Sequence, residues 1–136
     1  MRFACLATLL LAACSREADP GEMLVGVYGE SDRDGLCVAR DGEGLKAGLI
    51  AYGDGASNCS LNGRAEVRGE SLVVIPRGDL ECSVDIRIVN GIATVGPQLQ
   101  ACAFYCGPGA NYAGRKLRKT ADAATKVVDF AGDPLC

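Results

Sequence analysis

The chain contains no histidine and no tryptophan, and its 136 residues include only 3 Phe and 4 Tyr. Without histidine there is no Ser-His-Asp triad, no Cys-His pair and no histidine-ligated metal. With so few aromatics, the core is expected to consist of Val, Ile, Leu and Ala. Such a core buries less apolar surface per residue than an aromatic-rich one, so a second source of rigidity is needed. A basic excess is missing too: 14 Lys and Arg face 17 Asp and Glu, a net charge of −3. That balance argues against nucleic acid as a partner and against purely electrostatic attachment to anionic lipid. No apolar stretch approaches the roughly 20 residues a membrane-spanning helix needs. A 3.6-residue hydrophobic period is not sustained anywhere before Thr120, and no internal repeat is visible.

What the chain does have begins at its N-terminus. One basic residue, Arg2, precedes a short apolar run through Phe3, Leu6 and Leu9-Leu10-Leu11. A run of this length with one positive charge ahead of it reads as an export signal. It closes on Leu11-Ala12-Ala13-Cys14, which resembles the lipobox of bacterial lipoproteins. The resemblance implies a signal peptide over residues 1–13, cleavage behind Ala13, and lipid on Cys14 as the first residue of the mature chain. It further implies a bacterial cell-envelope location; Ser15 after the cysteine favours the outer membrane, with the domain facing the periplasm or the outside. Membrane contact would then run through the lipid on Cys14, and two or more acyl chains hold a protein stably. The mature chain would have 123 residues, one domain's length. Residues 14–22 would form the lipidated cysteine and a flexible tether, and 23–136 a single β-rich domain with an irregular C-terminal tail.

The stiffening is expected from cysteine. Of 8 cysteines, Cys5 lies in the signal and Cys14 in the lipobox. The remaining Cys37, Cys59, Cys82, Cys102, Cys106 and Cys136 form an even set in an exported chain, which predicts three disulfides. The rival is a structural metal centre, which would have to be all-thiolate and lacks the paired Cys-x-x-Cys spacing, so no metal and no other cofactor is expected. Six cysteines allow 15 pairings. Placed on a strand, Cys102 and Cys106 would lie about 13 Å apart, so different partners are expected for them.

From Met23 onward the pattern is short strands and turns. Met23–Tyr28, Leu36–Ala39, Leu45–Tyr52, Asn58–Leu61, Arg64–Arg68, Ser71–Ile75, Glu81–Val89 and Ile92–Val95 read as about eight strands. Asn62-Gly63 stands out as a hairpin signal, and Gly69-Glu70 and Asn90-Gly91 follow as further reversals. In Glu81–Val89, Cys82, Val84, Ile86 and Ile88 alternate with Glu81, Ser83, Asp85 and Arg87, a half-buried strand with Cys82 toward the core. The expected fold is all-β: one small antiparallel barrel or sandwich over about residues 23–119. Thr120–Phe130 is a possible short C-terminal helix capped by Thr120.

Four constellations bear on function. Glu81 and Asp85 form a carboxylate pair, but they share a polar face with Arg87 and read as solvated. Glu30, Asp32, Asp34, Gly35 and Asp41 echo a calcium loop, with Glu for the first Asp and Asp for the final bidentate Glu; an acidic hairpin turn is the expected reading. Arg115, Lys116, Arg118 and Lys119 read as a solvated strand or edge. Gly107-Pro108-Gly109-Ala110-Asn111-Tyr112 resembles the Ser-Gly-x-x-Tyr loop of small β-barrel inhibitors of c-type lysozyme, which are often lipid-anchored. Gly109 and Tyr112 match, Pro108 replaces the serine, and the family's Thr-Lys-Gly loop has no counterpart. By that resemblance Gly109 and Tyr112 would belong to a partner-binding loop. The expected function is therefore a non-enzymatic binding or structural role in the envelope, with a possible protein partner; the alternative is an inhibitor of a lysozyme-type cell-wall hydrolase. No catalytic residue is assigned.

Overall fold

A computed structural model describes residues 17–30, 33–123 and 127–136. The proposed signal, the lipobox and Cys14 lie outside the described residues, as do Asp32 of the acidic segment and positions 124–126. A short helix, α1 (Pro20–Leu24), leads into eight strands: β1 (Gly26–Gly29), β2 (Gly35–Asp41), β3 (Gly44–Tyr52), β4 (Asn58–Arg68), β5 (Ser71–Pro76), β6 (Val84–Val89), β7 (Ile92–Val95) and β8 (Lys116–Ala121). Each strand pairs antiparallel with its neighbour in sequence, and β8 returns to β1 to close the barrel. Closure brings two backbones close. A Cβ on Gly26 would sit 2.3 Å from the Ala121 carbonyl oxygen, and φ there is +149°, so this junction requires glycine.

The eight strands are not the expected eight. Asn62-Gly63 does not turn; β4 runs straight through it, pairing Asn62 with Gly48 and Gly63 with both Ala47 and Pro76. Cys59, Leu61 and Ala65 stay buried across the dipeptide, and a hairpin there would break that alternation. Two expected strands merge into one, and the basic segment Lys116–Ala121 supplies the missing strand that closes the barrel. Asn90-Gly91 is a true hairpin turn, with φ of 51° and 72° as a two-residue primed turn demands. The C-terminal helix is not formed: Thr120 and Ala121 belong to β8, whose pairing with β1 claims the segment, and described residues 127–136 carry no helix.

At the other end, residues 20–22 of the expected tether and Met23 and Leu24 of the expected first strand form α1, with Pro20 in its first turn, so β1 starts only at Gly26. Asp19 caps α1 by accepting from the Gly21 N–H at 2.9 Å. Arg40 reaches Asp19 and Glu22, both at 2.7 Å, and Tyr28 donates to the Leu24 carbonyl at 2.9 Å. These bonds dock α1 on β1 and β2, so the polar stretch left free is shorter than its composition suggests.

Leu36, Val38, Leu49, Leu61, Leu72, Val74, Val84, Ile86, Val95 and Leu117 fill the barrel's interior. The aromatic-poor core nonetheless includes Tyr28 and Tyr112, the two largest fully buried side chains. Charged positions such as Arg64, Arg68, Asp85, Arg87, Lys116 and Arg118 face outward. An apolar inside and a charged outside reverse the arrangement by which a barrel spans a bilayer.

A second, smaller apolar cluster lies on the outer face of β2 and β3. Leu135 packs there against Cys37 and Ile50, with Val127 and Tyr52 beside them. The tail doubles back on itself, Leu135 N–H donating to the Val127 carbonyl at 2.8 Å, and Cys136 bonds to Cys37. Gly48 makes the seat: a Cβ there would fall 2.5 Å from both the Cβ and the carbonyl oxygen of Leu135.

Candidate functional site

Antiparallel order puts the short connections at one end of the barrel, with α1, and the long ones at the other. Among the described residues the long end carries 30, 33–34, 53–57, 77–83 and 96–115. Two disulfides brace it. Cys82–Cys102 joins the β5–β6 connection to the β7–β8 connection, and Cys59–Cys106 ties the latter to β4. β4 extends past the end of β5, and Cys106 bridges its exposed edge at Cys59 while Gly107 N–H donates to Asn58 at 2.8 Å. This covering protects an edge that would otherwise be open to pairing.

Cys102 and Cys106 take different partners, as expected, but not for the expected reason. Residues Gln100–Tyr105 form a 3₁₀ helix rather than a strand, which shortens the rise per residue.

Polar contacts complete the bracing. Asp79 accepts from the backbone N–H groups of Glu81 at 3.0 Å and Cys82 at 3.1 Å, and from the Tyr105 hydroxyl at 3.0 Å. These bonds, the Cys82 N–H first, hold its carboxyl below the usual carboxylate range. On the other side, Arg115 Nη1 pairs with Asp34 Oδ2 at 2.9 Å and its Nη2 donates to the Tyr52 carbonyl at 2.6 Å. Asp34 in turn accepts from the Tyr52 N–H at 2.8 Å, and Arg33 lies 4.2 Å from the Tyr52 ring centre. Asp34 is 7% exposed, so the carboxylate side of this clasp is shielded from water while Arg115 stays partly exposed.

Three apolar side chains stand out from the braced loops: Leu80 at 79% exposure, Leu99 at 44% and Phe104 at 88%. Held by two disulfides and the Asp79–Tyr105 bond, they meet solvent on rigid loops, where contact costs little ordering entropy. The chemistry such a surface offers is apolar docking, not proton transfer.

No family model, curated protein or solved structure matches the chain significantly. The residues themselves must carry the functional reading.

The structure scatters most of the constellations seen in the sequence. Asp34 and Asp41 flank opposite ends of β2, Asp34 engaged by Arg115 and Asp41 at a hairpin. The expected strand Leu36–Ala39 lies between them and runs on to Asp41, so the segment does not close as one acidic loop. Among the described residues no cluster of His, Cys, Asp or Glu could hold a metal ion. Glu81 and Asp85 are both exposed. Of the basic run, Arg115 serves the clasp, Lys119 pairs with Asp122 at 3.2 Å, and Lys116 and Arg118 point to solvent from β8. Gly109 is exposed in its turn with φ +74°. Tyr112, the other residue of the proposed partner-binding loop, is fully buried and presents no surface to a partner. Its hydroxyl lies beside the Leu99 backbone N–H without a hydrogen bond of ordinary geometry, and burial pushes its pKa up.

Phe104 and Leu80 were missed in the sequence because apolar residues near half-cystines read as core. Asp34 and Arg115 stand 81 positions apart, and no local pattern links them.

Proposed function

We propose that this chain is a lipid-anchored protein of the bacterial cell envelope, with a binding or structural role rather than a catalytic one. The observation that carries the reading is that all six cysteines after Cys14 are consumed in three intramolecular disulfides. Such bonds persist in exported proteins and are rare in the reducing cytosol. The lipobox-like Leu11-Ala12-Ala13-Cys14 supplies the matching address. A non-catalytic role is supported by the filled barrel interior, where apolar side chains occupy the space a ligand cavity would need. Binding therefore falls to the outer surface. The loop end with Leu80, Leu99 and Phe104 is the face suited to a protein partner.

The test is the intact mass and fractionation of the protein from its native envelope. A mature chain beginning at Cys14, carrying acyl groups and sedimenting with outer membranes, is the expected outcome. An unacylated chain, or one beginning elsewhere, removes the anchor from the proposal.

A further inference from the structure

A groove of about 600 Å³ lies on the outside of the barrel, and Leu80, Leu99 and Phe104 are not among its lining residues. It is lined by Lys46, Arg64 and Arg77, by Ile75, and by the tail at Pro134–Cys136, with Asp41 also contributing. Lys46 and Arg64 are direct partners in the β3–β4 register. Their strand neighbours Leu45, Ala47 and Ala65 are buried in the barrel, so both cations project from the same outer face. Like charges directly opposite on adjacent strands repel, an arrangement that costs stability. Glu66 partly offsets Arg64 at 3.2 Å. Lys46 and Arg77 form neither an ion pair nor a hydrogen bond with any described residue, and Asp41 pairs with neither of them.

Both sides of the groove are held in place before any ligand arrives. Arg77 sits on a tight turn, in which Asp79 N–H donates to the Pro76 carbonyl at 3.3 Å, Gly78 has φ +77°, and the Asp79 carboxylate is anchored to Cys82 and Tyr105. The tail is pinned by Cys37–Cys136 and by Leu135 in its seat on Gly48. Three cations gathered in a chain of net charge −3 run against the overall field, so the concentration is local. Two guanidinium forks and one ammonium suit a tetrahedral dianion better than a single carboxylate.

We infer that this groove is an anion site for a small phosphate-bearing solute, a phosphomonoester held by Lys46, Arg64 and Arg77. Binding neutralises the Lys46–Arg64 repulsion, which is what favours occupancy.

The experiment is titration of the disulfide-bonded protein with glycerol 3-phosphate at low ionic strength, followed by amide chemical shifts. Saturable shifts at Lys46, Arg64, Arg77 and Leu135 are expected. The double variant K46Q/R77Q should bind at least tenfold more weakly, while K116Q/R118Q on β8 should change affinity less than twofold. K46Q alone should leave the fold intact and its thermal midpoint equal or higher in phosphate-free buffer, which separates loss of binding from loss of structure. Non-saturating shifts, or equal losses in the two double variants, would overturn the inference. Co-sedimentation with phosphatidylglycerol vesicles but not phosphatidylcholine, lost in K46Q/R77Q and unaccompanied by any response to glycerol 3-phosphate, would overturn the solute in favour of a lipid headgroup.

Discussion

The two ends of the barrel solve the same problem by different means. At the α1 end, β2–β3, β4–β5 and β6–β7 are joined by the two-residue turns Gly42-Glu43, Gly69-Glu70 and Asn90-Gly91. Each turn closes on local backbone chemistry and needs no cross-link. At the opposite end the connections are long, 20 residues between β7 and β8 alone, and their closure entropy is larger. Two disulfides, the Asp79 hydrogen bonds and the Arg115 clasp are concentrated there. Local turn chemistry stabilises the short end, and long-range bonds the loop end. The same bonds let the loop end expose Phe104 and Leu80 without fraying.

Breaking Cys59–Cys106 is the sharpest challenge to that contrast. Its sequence separation is 47, so the double serine variant should lose about 4 kcal/mol in the chain-entropy view, measured by denaturant unfolding. Cys82–Cys102, with a separation of 20, should cost about 3 kcal/mol. A loss below that of any hairpin-turn variant would show that the loop end does not depend on its staples.

The clasp comes next. Asp34→Ala removes the carboxylate partner of Arg115, which keeps its bond to the Tyr52 carbonyl, and leaves the Tyr52 N–H without its acceptor. It should cost about 2–3 kcal/mol, less than a fully buried pair because Arg115 is partly exposed. The accompanying change should be faster amide exchange at residues 52–57 and 111–115, with the α1 end unaffected.

At the short end, Asn90→Val places a β-branched residue at φ 51° and should cost about 1–2 kcal/mol, read from thermal or denaturant unfolding.

The smallest effects are those of the buried tyrosines. Tyr28→Phe removes the bond to the Leu24 carbonyl and should cost about 1 kcal/mol, loosening α1. Tyr112→Phe removes a hydroxyl without a proper partner and should change stability by less than about 0.5 kcal/mol in either direction. Burial raises both hydroxyls above the ordinary 10.0, so the folded state favours their neutral forms. The unfolded chain then ionises first, and stability should fall as pH rises above 10, less steeply in Tyr112→Phe. Asp79 works in the opposite sense. Its folded pKa is lowered, so its contribution is full above the ordinary 3.8 and is lost as pH falls through the folded value. Acid should therefore weaken the Asp79 bonds that brace the loop end.

Much of this architecture could be read from residue order. Period-two alternation in Glu81–Val89 places Cys82, Val84 and Ile86 inside, and all three are buried. The strand starts only at Val84, however, because the Glu81 and Cys82 N–H groups bond to Asp79 instead of a neighbouring strand. The even cysteine set signals three disulfides, and turn spacing signals a small antiparallel β domain. Asn62-Gly63 misleads because the dipeptide is compatible with a primed turn but does not compel one; the buried alternation of Cys59, Leu61 and Ala65 outweighs it. Lys116–Ala121 reads as a solvated strand or edge, but with charged outward positions and Leu117 its one fully buried residue, nothing local marks it as the strand that closes the barrel. The candidate site was barely visible: Phe104 reads as core, and Asp34 and Arg115 give no local sign of each other.

By itself the sequence determined the fold class, the turns at Gly69-Glu70 and Asn90-Gly91 and the set of cysteines to be paired, because alternation, turn residues and cysteine number act over a few neighbours or by count. Tertiary structure alone decided which cysteines pair, that β8 closes on β1, that the tail covers β2 and β3, and that Tyr112 is buried while Phe104 is exposed. Those outcomes depend on contacts between residues 20 to 99 positions apart. Only the closed barrel brings such residues within bonding distance.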